Sequence, residues 1–535
     1  DIYSGPTWHV ATTGSDSTGD GSEDNPFATI QAGIDAASDG DTIYISIGEY
    51  NDNFQLVNKS LTLTGEDEEE TIFRFIDDIN FSISSEQTKT VNLLNITIIP
   101  TGTLGNTMTQ LYSTTDDTLT VNFTNVHYEG ENNMNGIYVA KNVKLNIDNC
   151  SFRSLDGGGQ DGGAIAASNS YYQEITINGS VFENNSGNQG GSIIVEGSGK
   201  LIINNSQFIG NVADMGPGGA IYIKDYEVEI NNTTISNNSA TSYGGGITII
   251  SSTVNITQSE ISNNTTTTSE GAGLYINDES TVAISNSTIA NNEVLADNNT
   301  GGGIASYGFV TLENVDVINN IASNGSGVRV GTKTFAMTGG SISGNISDSG
   351  SQEGGALQIQ DAISVSLDSV EFSENQYNNG VGSAIGIRRT DTDITNCVIS
   401  NNSSGRGAIY IHDADVDIAR TLIADNISSN TGNNYGAIFA DTDANYSLNY
   451  VTFANNEQSA IHNNSNTASG TIINTIFWNP TADEEISNYQ AGTYIDISYS
   501  VLTYAYCGTE FTPDWEGVFD ADPLFCDPDS GDFTV

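Results

Sequence analysis

Basic residues are scarce in this sequence. Its 535 residues include 14 Lys and Arg against 67 Asp and Glu, which gives a formal net charge of −53 at pH 7. Phosphate groups are bound by positive charge, so this balance excludes nucleic acid as a partner and argues against an anionic membrane surface. Charge of one sign also repels itself within a folded chain, and salt or divalent cations screen that repulsion. We therefore expect a saline or calcium-containing setting, with a generically acidic secreted surface as the alternative.

Long apolar runs and cysteines are also few. No apolar stretch approaches the roughly 20 residues that cross a bilayer, so no membrane span is predicted. Four cysteines in so long a chain do not make a disulfide framework. Cys507 and Cys526 lie close together near the C-terminus and are predicted to form a disulfide clip. Cys150 and Cys397 occupy equivalent repeat positions and are predicted to be small buried apolar residues. The chain begins at Asp1 rather than Met, as removal of a secretion signal would leave it.

One short pattern, an apolar residue followed three positions later by Asn, recurs at intervals of about 27 residues. The repeated residues are Asn185, Asn211, Asn238, Asn264, Asn292, Asn320, Asn345, Asn375, Asn402, Asn426 and Asn456. A second marker, two small residues and an aliphatic, lies between them, as in the Gly-Ala-Ile of residues 219–221. A third alternates with period two, as at Val228 and Ile230. Alternation places one side of a strand inside and the other in water.

These markers predict an all-β parallel β-helix of about sixteen turns of about 27 residues each. Aliphatic columns would fill its core. The repeated Asn would point inward at a corner, where its amide can bond the corner backbone and the Asn of the next turn. Glycine is expected where a corner requires a positive φ.

The two ends of the chain differ from the repeats. The predicted division is a cap over residues 1–40, the β-helix over residues 41–485 and a C-terminal closure over residues 486–535. Within the cap, Phe27, Ile30, Ile34 and Ala37 fall on one helical face. We therefore expect a short amphipathic helix that covers the open N-terminal end of the core.

The paired Gly-Gly-Ala-Ile and Phe-x-x-Asn markers, over about residues 150–460, resemble those of chlamydial polymorphic outer-membrane proteins and related bacterial surface proteins. The opening, from Trp8 to the Pro-Phe-Ala-Thr-Ile-Gln of residues 26–31, is similar to the start of secreted pectate-lyase-like β-helices. The Ala-Asp-Pro-Leu-Phe-Cys of residues 521–526 is similar to the tail of large marine bacterial β-helix proteins, frequently exported by type IX secretion. The resemblance implies a right-handed parallel β-helix, secretion and a surface role. It leaves activity open, because this fold hosts lyases, hydrolases, epimerases and inert adhesins.

Basic and acidic residues are densest near residues 388–443. Aligning the repeats puts Arg388, His412 and Asp441 in one column just beyond a strand, with Arg389 and Asp413 in the next column. A basic group, an imidazole and a carboxylate on successive turns can perform acid–base chemistry or hold an acidic sugar. The catalytic residues predicted for an enzyme are Arg388, His412, Asp413 and Asp441. The alternative is a charged corner in which arginines neutralise part of a dense acidic field.

Outward positions of one strand carry aromatic residues that are predicted to contact a ligand. These residues are Tyr222, Tyr275, Tyr410 and Phe439. Exposed aromatics stack on sugar rings, but single ones scattered over many turns are also ordinary sheet surface. Asp527, Asp529 and Asp532 have the oxygen-rich spacing of a hard-cation loop, so calcium is the metal considered, and no cofactor is required.

Two functions remain open. The first is an extracellular or cell-surface structural protein without enzymatic activity: an adhesin, or a filament or sheath subunit, built as a rigid β-helical rod. Its partners would be extracellular glycans or proteins, including further copies of itself. The second is a polysaccharide lyase or hydrolase of the pectate-lyase-like fold that acts on an acidic or sulfated glycan.

Overall fold

The computed structural model describes the chain in segments. The described residues are 3–51, 53–75, 81–100, 109–130, 136–157, 159–348, 354–428, 435–482, 484–489, 493–502 and 517–518. Internal contacts divide the chain into two compact units, Asp1–Thr267 (unit 1) and Thr268–Val535 (unit 2). In each unit the strands pair in parallel with their counterparts one turn earlier and later. The predicted division into cap, β-helix and closure stays a prediction.

In unit 1 the strands stack in three columns and a short fourth one, and four long strands take part in two columns each. The first column contains Gln55–Val57, Phe81–Ser85, Thr109–Ser113, Ile137–Val139, Ile165–Asn178, Ile193–Asn204, Ile221–Lys224 and Ile247–Ile250. The second contains Thr7–Val10, Thr42–Ile45, Leu61–Gly65, Lys89–Pro100, Leu119–Glu129, Val143–Asp148, the ends of Ile165–Asn178 and Ile193–Asn204, Glu227–Asn231 and Thr253–Thr257. The third contains Gly48–Tyr50, Thr71–Phe75, the ends of Lys89–Pro100 and Leu119–Glu129, Ser151–Arg153, Val181–Glu183, Gln207–Ile209, Thr234–Ser236 and Glu260–Ser262. The fourth contains Ser186–Gly187, Val212–Ala213, Ser239–Ala240 and Thr265–Thr266.

Unit 2 repeats the same arrangement. Its first column contains Leu274–Ile276, Ile304–Ser306, Val328–Gly331, Leu357–Gln360, Ile385–Arg388, Ile409–His412, Ile438–Ala440, Ile461–Asn463 and Ile486–Asn488. Its second contains Thr281–Ser285, Phe309–Ile318, Thr334–Ser343, Ser364–Asp368, Thr392–Thr395, Ala414–Ala419, Ala444–Asn449, Ser469–Ile473 and Tyr494–Ser498. Its third contains Thr288–Ala290, the ends of Phe309–Ile318 and Thr334–Ser343, Glu371–Ser373, Val398–Ser400, Leu422–Ala424, Thr452–Ala454, Ile476–Trp478 and Val501–Leu502. The fourth contains Glu293–Val294, Ile321–Ala322, Ile346–Ser347, Gln376–Val381, Ser403–Arg406 and Ile427–Ser428.

Like residues stack on like residues in the core, as the repeat predicts. The rings of Phe152, Phe182 and Phe208 lie parallel, with centroids 4.8 and 4.7 Å apart. Val228 and Ile230, from the alternating marker, have no exposed surface. The described residues form about fifteen turns, close to the predicted sixteen.

The repeated Asn residues form a buried ladder, which confirms their predicted inward orientation. Asn320 shows the pattern: its Oδ1 accepts from the backbone N–H and the Nδ2 of Asn292, at 2.9 and 3.0 Å. Its own Nδ2 donates to Ile289 O and to Oδ1 of Asn345, both at 3.0 Å. Each amide thus closes a corner of the preceding turn and joins two turns, satisfying groups that would be costly to bury unpaired.

Positive φ at the corners is supplied mainly by Asn, whereas the sequence predicted Gly. The residue just before each ladder Asn is left-handed, as at Asn237, Asn319 and Asn401, with Gly in the same place at Gly210 and Gly344. Asn tolerates this region because its short polar side chain bonds locally. The Asn-Asn pairs of the sequence therefore contain one left-handed residue and one inward residue.

Side-chain hydroxyl groups form a second ladder, which no sequence motif marks. Each of the two described cysteines donates its backbone N–H to a hydroxyl of this ladder. Ser180 Oγ accepts from the backbone N–H of Cys150 at 3.0 Å, and Thr421 Oγ1 accepts from that of Cys397 at 3.3 Å. Both cysteines are buried and free, as predicted. Burial raises the pKa of the Cys150 thiol to about 12 and that of the Cys397 thiol to about 11. A protonated thiol is a poor nucleophile, so neither is reactive.

The N-terminal helix spans Ile30–Ala36, within the predicted segment. The side chain of Thr29 caps it by accepting from the backbone N–H of Ala32 at 3.3 Å. Ile30 and Ile34 are buried, and Gly33 packs against Val10 and Ile43. The role of this helix as a lid over the core stays a prediction. Across the described segments, no helix has the length and apolarity needed to cross a bilayer.

Candidate functional site

The register of the first column in unit 2 brings the predicted acid–base residues together. Arg388 ends one strand and pairs with His412, which ends the next. Asp441 follows the strand of the next turn, and its Oδ2 lies 3.8 Å from Nδ1 of His412. The two side chains are 22% and 24% exposed, so solvent reaches both. A half-buried imidazole beside a carboxylate has the composition of a general acid–base pair.

Asp441 is held by further contacts. Its Oδ2 accepts from the hydroxyl of Tyr410 at 3.2 Å, and its Oδ1 accepts from Nδ2 of Asn464 at 3.0 Å. The rings of Tyr410 and His412 stack with centroids 6.2 Å apart and planes 15° from parallel. These contacts hold the Asp441 carboxylate in place, whereas the buried Nδ1 of His412 has no hydrogen-bond partner among the described residues, because its 3.8 Å separation from Asp441 is too long for one.

The neighbouring column, with Arg389 and Asp413, differs in character. Both residues are left-handed, with φ of 49°. Arg389 makes two hydrogen bonds to the carboxylate of Asp361, at 2.6 and 2.8 Å. This guanidinium lowers the pKa of Asp361. Arg389 therefore neutralises a carboxylate, as the charged-corner alternative supposed. Asp413 is exposed beside it, and its catalytic role stays a prediction.

The predicted aromatic contact surface is covered. Tyr222, Tyr410 and Phe439 point outward from first-column strands but are only 9%, 3% and 1% exposed, so their expected exposure is wrong. Tyr275 is half-buried. Tyr410 is covered by the glycine-bearing segment of the preceding turn: a Cβ at Gly382 would come within 2.9 Å of Tyr410 Cβ.

A guanidinium group covers the Phe439 ring. The guanidinium carbon of Arg406 lies 5.9 Å from the Phe439 ring centroid and 5.2 Å from that of Tyr435. Ring stacking on a sugar would require these groups to move aside. The assignment of the aromatic residues as ligand contacts stays a prediction.

The remaining predicted residues lie elsewhere. Asp527, Asp529 and Asp532, the predicted cation loop, and Cys507 and Cys526, the predicted clip, lie outside the described residues. Within the described segments, no group of three or more His, Cys, Asp or Glu side chains is arranged to hold a metal ion.

A second polar cluster, which no feature of the sequence indicates, surrounds Arg329 in the same column of unit 2. The guanidinium carbon of Arg329 lies 5.9 Å from the ring centroid of Tyr307. The Tyr307 hydroxyl lies 2.9 Å from both carboxylate oxygens of Glu270. Burial raises the pKa of Tyr307 and lowers that of Arg329. Glu270, Tyr307 and Arg329 share no sequence motif. The strand register alone, in which Arg329 pairs with Gln358 one turn away, places them near the predicted acid–base site.

Unit 1 carries a smaller cluster on its own first column, which no sequence feature indicates either. Lys224 forms an ion pair with Glu196 on the neighbouring strand. Burial raises the pKa of Asp161, and the nearby charge of Glu196 raises it further. Tyr222 shares this environment, and its pKa is raised mainly by burial.

A family model described as a right handed beta helix region matches residues 109–289. No curated protein matches the sequence. Among solved structures, a rhamnogalacturonan lyase is 16% identical, with 49% of this chain and 82% of that chain covered and a TM-score of 0.32. The periplasmic alginate epimerase AlgG is 13% identical, with 62% and 76% covered and a TM-score of 0.37. The PL6 family alginate lyase AlyGC is 11% identical, with 96% and 99% covered and a TM-score of 0.27. Likeness at this level carries no argument about activity. The register, the ladder and the family model together show that the chain folds as a right-handed parallel β-helix.

Proposed function

We propose that this protein is an extracellular surface or structural component without enzymatic activity, in which the β-helix serves as scaffold and contact surface. The observation that carries the proposal is the covering of two outward aromatic rings on the first column of unit 2 by the chain itself. Tyr410 and Phe439 point outward yet are 3% and 1% exposed. An enzyme that cleaves a polysaccharide needs a concave site that admits the chain to its reacting groups. A covered face favours contact through the outer surfaces instead.

The arrangement of surface charge supports an extracellular setting. Asp393 and Asp417 are exposed and directly opposite each other on neighbouring second-column strands. Such strands lie about 4.8 Å apart, so the two carboxylates repel. Dissolved salt or calcium screens this repulsion. Together with the net charge of −53, the pair suits a medium rich in cations.

Electron microscopy of the purified chain, with and without calcium, tests the structural role. We expect ordered assemblies when calcium screens the surface carboxylates, and their loss when calcium is chelated. A matched variant, Asp393→Asn with Asp417→Asn, should assemble at lower calcium because it removes one repelling pair. A protein that stays dispersed under all conditions and also degrades a glycan would contradict the proposal.

A polysaccharide lyase or hydrolase is the second candidate function, favoured by one specific observation. His412 lies 3.8 Å from Asp441 and pairs in register with Arg388. In that role His412 would move a proton, Asp441 would orient the imidazole, and Arg388 would hold an acidic group of the sugar.

Turnover assays separate the two candidates. Polyuronates and algal glycans would be incubated with the wild-type chain, Arg388→Ala and His412→Ala, and new chain ends would be measured. His127→Ala is the matched control, because His127 lies in unit 1 and bonds Ser151 at 2.7 Å. The structural proposal expects no turnover in any sample. Turnover that His412→Ala abolishes and His127→Ala preserves would establish the enzyme.

A further inference from the structure

Basic side chains have different partners in the two units. In unit 1, all but Lys59 form ion pairs with described carboxylates: Arg74, Lys89, Lys141, Lys144, Arg153, Lys200 and Lys224. In unit 2, four basic residues have no carboxylate of a described residue within ion-pair distance: Arg329, Lys333, Arg406 and Arg420. The chain has 67 acidic residues, yet none of the described ones reaches these four side chains.

Arg329 is one of the two among these four that are not exposed. It lies on the outer side of a first-column strand and is partly buried, and burial lowers its pKa. A guanidinium nevertheless stays charged and carries five N–H donors. Arg329 uses two of them, one to Val330 O and one to Oε1 of Gln360 at a long 3.5 Å. The remaining donors have no acceptor among the described residues, so they are free to bond a ligand.

The carboxylates nearest to Arg329 already have partners. Glu270 accepts from Thr300 Oγ1 at 2.7 Å and from the hydroxyl of Tyr307 at 2.9 Å. Asp361 accepts the two bonds from Arg389. Both carboxylates are therefore engaged while the guanidinium keeps its free donors.

We propose that Arg329 binds a carboxylate group of an acidic polysaccharide, with the Tyr307 ring and the Gln360 amide completing the site. The planar guanidinium matches a carboxylate with two parallel bonds. The Tyr307 ring supports the guanidinium, whose carbon lies 5.9 Å from the ring centroid, and the Gln360 amide can bond a sugar hydroxyl.

The register explains why a polymer fits better than a small acid. Gln360 lies one turn from Arg329 and pairs with Arg388 on the following turn. Polar groups thus recur along the solenoid at about 4.8 Å per turn. A linear polyuronate offers acid groups and hydroxyls at regular intervals along the same direction. This inference rests on the proposed extracellular role for the source of the ligand, but it requires neither assembly nor turnover.

Calorimetric titration with defined oligosaccharides tests the site in the full chain. The probes are an oligouronate, a sulfated oligosaccharide and a neutral cello-oligosaccharide of equal length, with oligoglutamate as the peptide arm. We expect the oligouronate to bind and the neutral sugar to bind much more weakly. Arg329→Gln should weaken oligouronate binding by roughly tenfold or more, as the loss of a charge-assisted pair predicts. Arg153→Gln, which removes an arginine already paired in unit 1, should leave it unchanged.

Gln360→Glu is the second variant and keeps Arg329 intact. It places a carboxylate of the chain itself beside the guanidinium, so it should abolish oligouronate binding. If Arg329→Gln fails to fold, Gln360→Glu tests the proposed binding site in its place. The proposal is overturned if the wild-type chain does not bind the oligouronate, if Gln360→Glu binds it as tightly as wild type, or if sulfated sugar, neutral sugar or oligoglutamate binds equally well. Failure of this site would leave the assembly and turnover tests unaffected.

Discussion

Replacing one inward Asn of the ladder should cost far more stability than replacing the Asn beside it. Asn320 is fully buried, and its side chain takes part in four hydrogen bonds, two as acceptor and two as donor. At about 1 kcal/mol for each bond, Asn320→Ala should lower the free energy of unfolding by about 4 kcal/mol. Asn319→Ala loses only the tolerance of Asn for a φ of 56°, which is worth about 1 kcal/mol.

Urea unfolding followed by circular dichroism measures both values, and Asn319→Gly supplies the control because Gly accepts a positive φ without strain. Hydrogen exchange adds a local reading, since the backbone N–H of Asn292 loses its acceptor only in Asn320→Ala. Equal costs for Asn320→Ala and Asn319→Ala, or a cost below about 1 kcal/mol for the former, would refute the account of the ladder.

Three further outcomes follow from other parts of the chain. Phe182→Ala removes the middle ring of a buried stack and should cost about 3–5 kcal/mol in thermal or urea unfolding, whereas Tyr172→Ala, at a side chain 55% exposed, should change stability by under about 0.5 kcal/mol. Arg389→Gln should cost about 0.5 kcal/mol at neutral pH after solvent screening. Arg389 lowers the pKa of Asp361 in the folded protein, so the stability from this ion pair is present above the unfolded-state pKa of Asp361 and is lost as pH falls through its folded-state pKa. The melting temperatures of the wild type and the variant should therefore converge in acid. A difference that persists in acid would count against a stabilising Arg389–Asp361 ion pair. Raising NaCl from about 10 mM to about 1 M, which shortens the screening length from about 30 to about 3 Å, should raise the melting temperature, and an unchanged value would show that self-repulsion is negligible.

The periodic part of the fold could be predicted from the sequence because the solenoid repeats its contacts once per turn. An Asn that recurs every turn must meet the same Asn one turn away, so the ladder follows from spacing alone. The same logic put Arg388 opposite His412. The ladder nevertheless ends in a way that spacing does not indicate. Asn479 follows Asn456 as a rung, since its Oδ1 accepts from the backbone N–H and Nδ2 of Asn456 at 2.8 and 3.0 Å. The backbone N–H and Nδ2 of Asn479 then donate to the Glu485 carboxylate, which replaces the next Asn, at 2.8 and 2.6 Å.

The burial of the outward aromatics could not be predicted, because it depends on segments that vary in length and sequence from turn to turn. The alternation of inward and outward residues along the strand predicts that Tyr410 points away from the core. Whether water or a glycine-bearing segment lies above Tyr410 depends on the path of the residues near Gly382. The cluster at Arg329 is hidden for the same reason. Its partners come from turns with different sequences, and no motif joins Glu270 to Tyr307.

The Asn ladder has a consequence for how such a protein changes in evolution. Every rung offers the same acceptor to the turn before and the same donor to the turn after, so the surfaces of two successive turns are interchangeable. Duplication or loss of one whole repeat rejoins equivalent groups, whereas gain or loss of a few residues inside a strand shifts every column at once. Chain length can therefore drift by whole turns while the site at Arg388, His412 and Asp441, which depends on three unlike neighbours, is broken by a duplication within it.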